Sequence, residues 1–431
     1  MKKNSQLNHA WLTIVVLAII PIGLWFLAPP SLPRFSSLLA IASSFGQLTA
    51  LVGMALFSIS LILSGRFIFL DKYFKGLNNV YAKHSLIGQW AFILFLIHPL
   101  LLIFKYAGGS LAGAVYFFSL SSDLPKNLGI MSLGLMVLLI VLTLYLRPKY
   151  NLWKITHKFF GLAFFLGSLH ALLIPSDISR YAPLKFYMFS LAFLGVTVFV
   201  YRTILGKYLV KKYSYIIESV VLLNDKVWEI SLKPQTKKLK FRAGQFIFIS
   251  FIDPSISKES HPFTISSRPE DDLLKITVKG LGDYTNKMVN LKPGSIAKVE
   301  GPFGSFSHQN AVYKNQIWIA GGIGITPFLS MAQSLQKDDD YSIDLFYCLK
   351  NDSESIYLDF LRSLNPKLKV HLFCYDKSGY LNADTINNVS GALAEKDIFI
   401  CAPMSMIESL KQQIVGLGVD KKLIHSEEFN F

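Results

Sequence analysis

At 431 residues the chain has room for two or three domains, and a hydrophobic fraction of 52% with a mean hydropathy of +0.41 excludes an ordinary soluble globular protein. A net charge of +15 would suit nucleic acid in a soluble chain. Beside long apolar runs it fits the cytoplasmic ends of membrane spans and anionic lipid instead, so membrane lipid is expected as a partner and nucleic acid is not.

The apolar runs cover Ala10 to Leu27 and then about 45–64, 84–105, 128–146, 155–174 and 184–205, which makes six spans. Met1-Lys2-Lys3 before the first run resembles a signal-peptide start. That run is long for one and has no small-x-small cleavage site, so an uncleaved helix is expected. Lys2, Lys3, Arg66, Lys72, Lys75, Lys83, Arg147, Lys149, Lys154, Arg202, Lys207, Lys211 and Lys212 fall on one side. Arg34, Lys105, Lys126, Arg180 and Lys185 fall on the other. The richer side is cytoplasmic by the positive-inside rule, and six spans return the chain to it near Lys212.

From Tyr213 the texture changes to strand-length pieces around 215–222, 227–232, 245–251 and 275–279, punctuated by Gly and Pro; this predicts a small antiparallel barrel ending near Phe306. From Gln316 the order becomes strand, glycine loop, a helical run to Gln336, then strands at 343–347, 370–375 and 397–401. That pattern predicts an open α/β sheet. The expected fold class is a multi-domain membrane protein with a six-helix transmembrane bundle at 1–212, an antiparallel β-barrel at 213–308 and an α/β nucleotide-binding domain at 309–431. Cys348, Cys374 and Cys401 lack metal-ligand spacing and are expected as reduced thiols on the cytosolic side.

Four histidines lie within the spans: His84 and His98 in the third, His157 and His170 in the fifth. An imidazole in hydrocarbon needs an interior partner, so these are functional candidates. A lone membrane histidine bonded to a neighbouring helix is a common structural device, but two on each of two spans at spacings of 14 and 13 favour two pairs of haem ligands. The spacings correspond to about 21 and about 20 Å along the helices, and both spans run from cytoplasm outward. His84 is therefore expected to pair with His157 on the inner side, and His98 with His170 on the outer side. Bis-imidazole ligation closes the iron to other ligands and suits electron transfer. Fourteen residues come within about 40° of four full turns, whereas thirteen leave their two imidazoles about 140° apart. A local tightening or bend of the fifth span, at Gly161 or Gly167, is the expectation. Trp90, Phe92, Phe164 and Phe165 have two readings, aromatics between the haems or packing and lipid contacts. Arg147 and Lys158 are either propionate partners or helix-end cations.

The stretch Gly65 to Phe74, the 14 and 13 spacings, and Trp153-Lys154-Ile155-Thr156-His157 resemble the ferric reductase and NADPH oxidase transmembrane family, in a bacterial NADPH-oxidase-like form. The resemblance implies two haem b groups on six helices and a ferredoxin-NADP reductase type of cytosolic half. In that half, His261-Pro262-Phe263-Thr264-Ile265-Ser266 resembles the flavin motif. Phe263 is then expected to pack on FAD, Thr264 to bond near the flavin N5, His261 to lie toward the phosphates, and Pro262 and Ser266 to complete the wall. Lys279-Gly280-Leu281-Gly282-Asp283-Tyr284-Thr285 offers glycines and a hydroxyl N-cap for the FAD pyrophosphate, or an ordinary turn and cap.

Ala320-Gly321-Gly322-Ile323-Gly324-Ile325-Thr326-Pro327 follows a strand and opens a helix. It departs from Gly-x-Gly-x-x-Gly and resembles the family's NAD(P)H loop, with Gly321, Gly322, Gly324, Thr326 and Pro327 toward the nucleotide. Lys350 is either a 2′-phosphate partner or a solvated lysine, which leaves NADPH preferred over NADH. Cys401-Ala402-Pro403-Met404 resembles the Cys-Gly-Pro segment beside the nicotinamide, with Ala402 in place of glycine. Phe431 ends a terminus that resembles the family's flavin-covering aromatic. Thr264, Cys401 and Phe431 are the residues expected at the reacting rings.

The expected activity is that of a transmembrane oxidoreductase in the plasma membrane with its soluble domains cytoplasmic. It takes electrons from cytosolic NAD(P)H through FAD and two haems to an outer acceptor. The acceptor is dioxygen giving superoxide by resemblance to the oxidases; a ferric or other metal chelate, or an extracytoplasmic redox partner protein, are the alternatives. No obligatory regulatory protein is evident, so constitutive activity is expected.

Overall fold

The computed structural model describes residues 2–30, 33–106, 110–146, 148, 150–336 and 338–428, and it divides into two compact units, residues 1–210 and 211–431. Phe431 and Arg147 lie outside the described residues.

Among the described residues, the first unit carries six helices long and apolar enough to cross a membrane. They are α1 (Lys2–Leu27), α2 (Leu38–Leu63), α3 (Leu77–Tyr106), α4 (Leu124–Val141), α5 (Tyr150–Leu173) and α6 (Ala182–Phe199). Helices α4 and α6 run on as π-helical turns at Leu142–Leu146 and Val200–Ile204. Helix starts follow capping chemistry more than hydropathy: the Ser37 side chain accepts from the Ala40 N–H, and Asp123 does the same for Lys126 ahead of Pro125. Helix α3 begins at Leu77, well before its apolar run, because Asn78, Asn79 and Lys83 can occupy opening turns that the run itself does not require. The bundle core gathers Trp25, Phe57, Leu61, Ala91, Met136, Phe164 and Met188. Between the spans, Arg34 lies over the Trp25 ring at 3.9 Å and pairs with buried Asp177 at 3.2 Å, so the α1–α2 and α5–α6 connections are joined by a charge pair.

The expected tightening of the fifth span is absent. Helix α5 is an uninterrupted α-helix from Tyr150 to Leu173. Its two glycines instead make room for neighbours: a methyl at Gly161 would stand 2.3 Å from the Phe199 ring, and one at Gly167 would stand 3.0 Å from Ser132 Oγ. Close packing of α5 on α6 and α4 uses them, and the 13-residue offset is left in the helix.

The second unit opens with a six-stranded antiparallel sheet in the order β4-β3-β6-β1-β2-β5. Its strands are β1 (Tyr213–Asn224), β2 (Val227–Pro234), β3 (Phe246–Ile252), β4 (His261–Thr264), β5 (Leu274–Lys279) and β6 (Ile296–Phe303). A bridge from Ile265 to Ile276 joins the two edges and closes the sheet into a barrel. Tyr215, Ile230, Ile249, Phe251 and Ile276 fill its interior. Asp253 ties its end together, accepting from Ser255 N–H and Oγ at 2.8 and 2.6 Å and from Ser295 Oγ at 2.5 Å.

A five-stranded parallel sheet follows, in the order β11-β10-β7-β8-β9, formed by β7 (Asn315–Gly321), β8 (Ser342–Leu349), β9 (Leu368–Cys374), β10 (Asp397–Ala402) and β11 (Ile424–Glu428). Strand order reverses between β7 and β10, which places a ligand crevice at their carboxyl ends. Residues 424–428, read from sequence only as a terminal segment, form the edge strand β11. Four helices frame the sites of this unit: α7 (Asp283–Lys287), α8 (Thr326–Gln333), α9 (Leu358–Leu364) and α10 (Met404–Gly416). Helix α8 stops short of the expected Gln336, with Ser334 as its C-cap.

Candidate functional site

In the membrane unit the four histidines fall at two levels. His84 and His157 face each other with ring centres 6.1 Å apart and planes at 72°. Two imidazoles sharing one metal through bonds of about 2 Å put their centres about 6 Å apart, so this separation suits an ion held between them. His157 is flanked by Trp153 and Phe160 at 5.0 and 5.3 Å.

Three of the imidazoles are fixed through Nδ1 to main-chain carbonyls: His84 to Ser60 at 2.9 Å, His98 to Gly46 at 2.7 Å, and His170 to Pro125 at 2.7 Å. A carbonyl only accepts, so Nδ1 carries the proton and Nε2 presents its lone pair, the tautomer a metal ligand needs. Ser60 reciprocates, its hydroxyl donating to the His84 carbonyl at 3.2 Å. Among the described residues His157 has ring contacts and no such bond.

These supporting groups escaped sequence reasoning, although a signal was present. Gly46, Gly53 and Ser60 recur every seven residues along α2. They meet, in turn, the His98 and Leu102 turn, the Phe95 ring, and His84 with Gly88. Ser60 and Gly46 are 14 apart, as are His84 and His98, so the antiparallel α2 and α3 are in register at both levels. On α4, Gly129 leaves space for the His170 ring; a methyl there would stand 2.9 Å from Nδ1. His170 is thus anchored to α4 through its Nδ1, while His157 faces His84 on α3.

Of the aromatics singled out from sequence, Phe164 is buried and stacks on Phe57 at 5.0 Å. Trp90 and Phe165 are exposed on the bundle surface, Phe92 is half-buried, and Lys158 is exposed.

In the second unit β4 presents His261, Pro262 and Phe263 half-buried, with Thr264 and Ser266 buried behind them. His261 stacks on Tyr284 at 3.8 Å, and its Nε2 lies 3.2 Å from Glu259. The Tyr284 hydroxyl donates to the Glu259 carbonyl at 3.2 Å; burial, then Glu259, pushes its phenol up, so it stays a donor. Thr285 corrects the sequence reading: Gly282 is the N-cap of α7, and Thr285 sits inside the first turn with its hydroxyl accepting from the Leu281 and Gly282 N–H groups at 3.0 Å each. Lys279 turns toward Glu354 at 3.8 Å.

The glycine loop and the Cys401 segment interlock at the strand-order reversal. A methyl at Gly324 would stand 2.0 Å from the Cys401 carbonyl oxygen, and one at Gly321 would stand 2.8 Å from the Ala402 methyl. The close approach that Ala402 put in question is supplied by glycine on the facing strand. Gly322 takes a left-handed φ of 56°. Thr326 and Pro327 are buried at the start of α8, and the Thr326 hydroxyl donates back to the Ile323 carbonyl at 3.1 Å, bracing the loop. Cys401 is fully buried; burial, then Glu427 beside it, holds its thiol well above the ordinary range. Met404 opens α10, exposed, and Lys350 is exposed just past β8.

Comparison with known proteins assigns each segment. Residues 49–168 match the ferric reductase like transmembrane component, 213–307 an FAD-binding domain and 318–412 an oxidoreductase NAD-binding domain. A superoxide-generating NADPH oxidase heavy chain from Dictyostelium discoideum is 30% identical over 150 residues, covering 30% of this chain and 21% of that one. Dual oxidase 1 of Caenorhabditis elegans is 25% identical over 287 residues, covering 60% and 18%. The chain therefore spans about a fifth of the length of these curated relatives. In fold, it is similar to a flavohemoglobin from Malassezia yamatoensis, with a TM-score of 0.51 at 16% identity, covering 90% of this chain and 98% of that one.

Proposed function

We propose, from the premise that the chain belongs to the ferric reductase and NADPH oxidase transmembrane family, that it passes electrons from cytosolic NAD(P)H through FAD and two b-type haems to dioxygen on the outer side, giving superoxide. The observation that carries this reading is the His84–His157 separation together with the three Nδ1–carbonyl bonds, a donor set that fits haem iron. When bound, nicotinamide supplies a hydride, flavin divides it into single electrons, and haem iron carries them one at a time.

The chain's own part is to hold and orient. His84 with His157, and His98 with His170, would hold the two haems, and the Nδ1–carbonyl bonds of His84, His98 and His170 leave Nε2 of each as the nitrogen that would bind metal. FAD is assigned to 213–308, with Phe263 and Thr264 at the ring, Pro262 and Ser266 completing the wall, and His261, Lys279, Tyr284 and Thr285 on the phosphate side. NADPH, or NADH, is assigned to 309–431, with Gly321, Gly322, Gly324, Thr326 and Pro327 at the pyrophosphate, Lys350 at the ribose, and Cys401 and Met404 at the nicotinamide. Phe431 is assigned to cover the flavin. The plasma membrane is the proposed location.

The test is purified protein supplied with NADPH, with superoxide read as dismutase-sensitive cytochrome c reduction. A dismutase-sensitive signal is expected. Brisk reduction of a ferric chelate with no dismutase-sensitive signal overturns the oxidase reading in favour of a ferric reductase, the second reading favoured by the match over 49–168.

A further inference from the structure

One of the hydroxyls that join the two halves of the second unit is held by an unusual backbone. Tyr357 opens α9 in the nucleotide half and adopts a left-handed backbone, φ 58° and ψ 13°, a conformation uncommon for an aromatic residue. Its hydroxyl donates to Glu229 Oε2 on β2 at 2.7 Å and lies 3.0 Å from Thr277 Oγ1 on β5. Glu229 is held from its other side by Lys275 at 2.9 Å, and Thr277 Oγ1 is 3.1 Å from the hydroxyl of Ser266, at the end of the flavin motif. From the opposite side, α8 takes both carbonyls that follow this motif: Gln333 Nε2 donates to Ser266 at 2.9 Å and Ser330 Oγ to Ser267 at 2.6 Å. Helix α8 is the one the nucleotide loop opens. The flavin strand is therefore gripped between two helices of the nucleotide half, and Tyr357 reaches it through an unusual backbone.

We infer that Tyr357 is a positioning residue for hydride transfer, its bond to Glu229 fixing the nucleotide half against the flavin motif. The inference rests on the proposed NAD(P)H-to-FAD reading. In the step served, the nicotinamide C4–H bond breaks with both its electrons and a flavin N5–H bond forms; NADPH becomes NADP⁺ and FAD its two-electron-reduced form. Distance and angle between those atoms set the rate, and a misplacement of about 1 Å costs up to about a hundredfold. A Tyr357 phenol raised above its ordinary value, by burial and then by Glu229, remains a donor throughout the neutral range.

The test uses the full chain carrying its cofactors, by anaerobic stopped-flow reduction of FAD with NADPH and with NADPH deuterated at C4. In Tyr357→Phe the limiting rate is expected to fall about tenfold, with a larger isotope effect and half-saturation moved by less than about twofold. Glu229→Gln should fall less, and the double variant should match Tyr357→Phe alone. Tyr380→Phe, at an exposed tyrosine remote from this contact set, should behave as wild type. In nucleotide-free protein, amide exchange over 264–267 and 357–361 should quicken in Tyr357→Phe while FAD content holds. A limiting rate within about twofold of wild type, or additive losses in the double variant, overturns the inference. Should Tyr357→Phe lose FAD, Glu229→Gln decides by the same criteria. Wild-type flavin left oxidised by both NADPH and NADH would sink the functional reading itself, an outcome distinct from equal rates in wild type and variant.

Discussion

The two units solve one problem, holding a polar group still, with different partners. In the membrane unit each of three imidazoles is held by a main-chain carbonyl, joined at His84 by the Ser60 hydroxyl at 2.8 Å, and small residues on the facing helix bring that carbonyl within reach. In the second unit polar groups are held by side chains in sets, as Asp253 is by Ser255 and Ser295, or Glu229 by Lys275 and Tyr357. Without water to finish a partial network, the membrane unit relies on partners that cannot rotate away. Side-chain sets suffice where solvent can complete them, and they can be loosened one bond at a time.

The largest expected effect is at the imidazoles. Alanine at any of His84, His98, His157 or His170 should lower the reduced-minus-oxidised haem signal to about half and cut NADPH-driven outer reduction at least about a hundredfold, since it breaks one of the two histidine pairs that would hold haem. An unchanged haem content in all four variants would remove the membrane half of the comparison. Next is Gly324→Ala, whose methyl meets a carbonyl that cannot yield. It should destabilise the nucleotide half by about 3 kcal/mol and abolish NADPH-driven reduction, while dithionite still reduces the haems.

Asp253→Ala comes third, at about 2 kcal/mol from thermal or denaturant melts near neutral pH. Hydrogen bonds from Ser255 and Ser295 hold the Asp253 carboxyl well below the usual carboxylate range. The wild-type advantage should therefore be complete above about pH 4 and shrink as pH falls below it toward the depressed folded value. The smallest effect is expected for Ser60→Ala, which loses the hydroxyl to His84 but keeps the carbonyl. Haem affinity should drop about tenfold or less. A larger loss at Ser60 than at Asp253 would reverse the contrast between main-chain and side-chain support.

Much of this was legible in the sequence because expensive residues announce themselves. Four histidines in apolar runs, and glycines directly after a strand, are costly unless used, and the structure half-buries those histidines inside the helix bundle and packs Gly321 and Gly324 against the Cys401–Ala402 segment. Spacing placed His84 and His157 at one level, and their rings stand 6.1 Å apart. What could not be read was whatever acts through the main chain. The carbonyls of Gly46, Ser60 and Pro125 are chemically the same as any others, and only helix register makes them partners. The tightening expected of α5 is absent, and nothing in its local sequence shows that His170 takes its carbonyl from α4 while His157 faces α3. Thr285 was misplaced because a hydroxyl near a helix start serves as N-cap or as a first-turn residue bonding backwards, and local sequence alone does not separate the two. Tyr357 carries no motif, and its contacts with Thr277 and Glu229 reach across 80 and 128 residues of chain.

The shared 14-residue interval of α2 and α3 makes their pairing behave like a two-notch key. A slide of one helical turn would strip both His84 and His98 of their carbonyls together, and a slide of one residue would rotate both away from their seats, so no half-correct docking leaves one site intact. These helices are neighbours in the chain and can close on each other before the later spans arrive. The seating of both imidazoles is thereby made conditional on a hairpin that is docked at both ends or at neither.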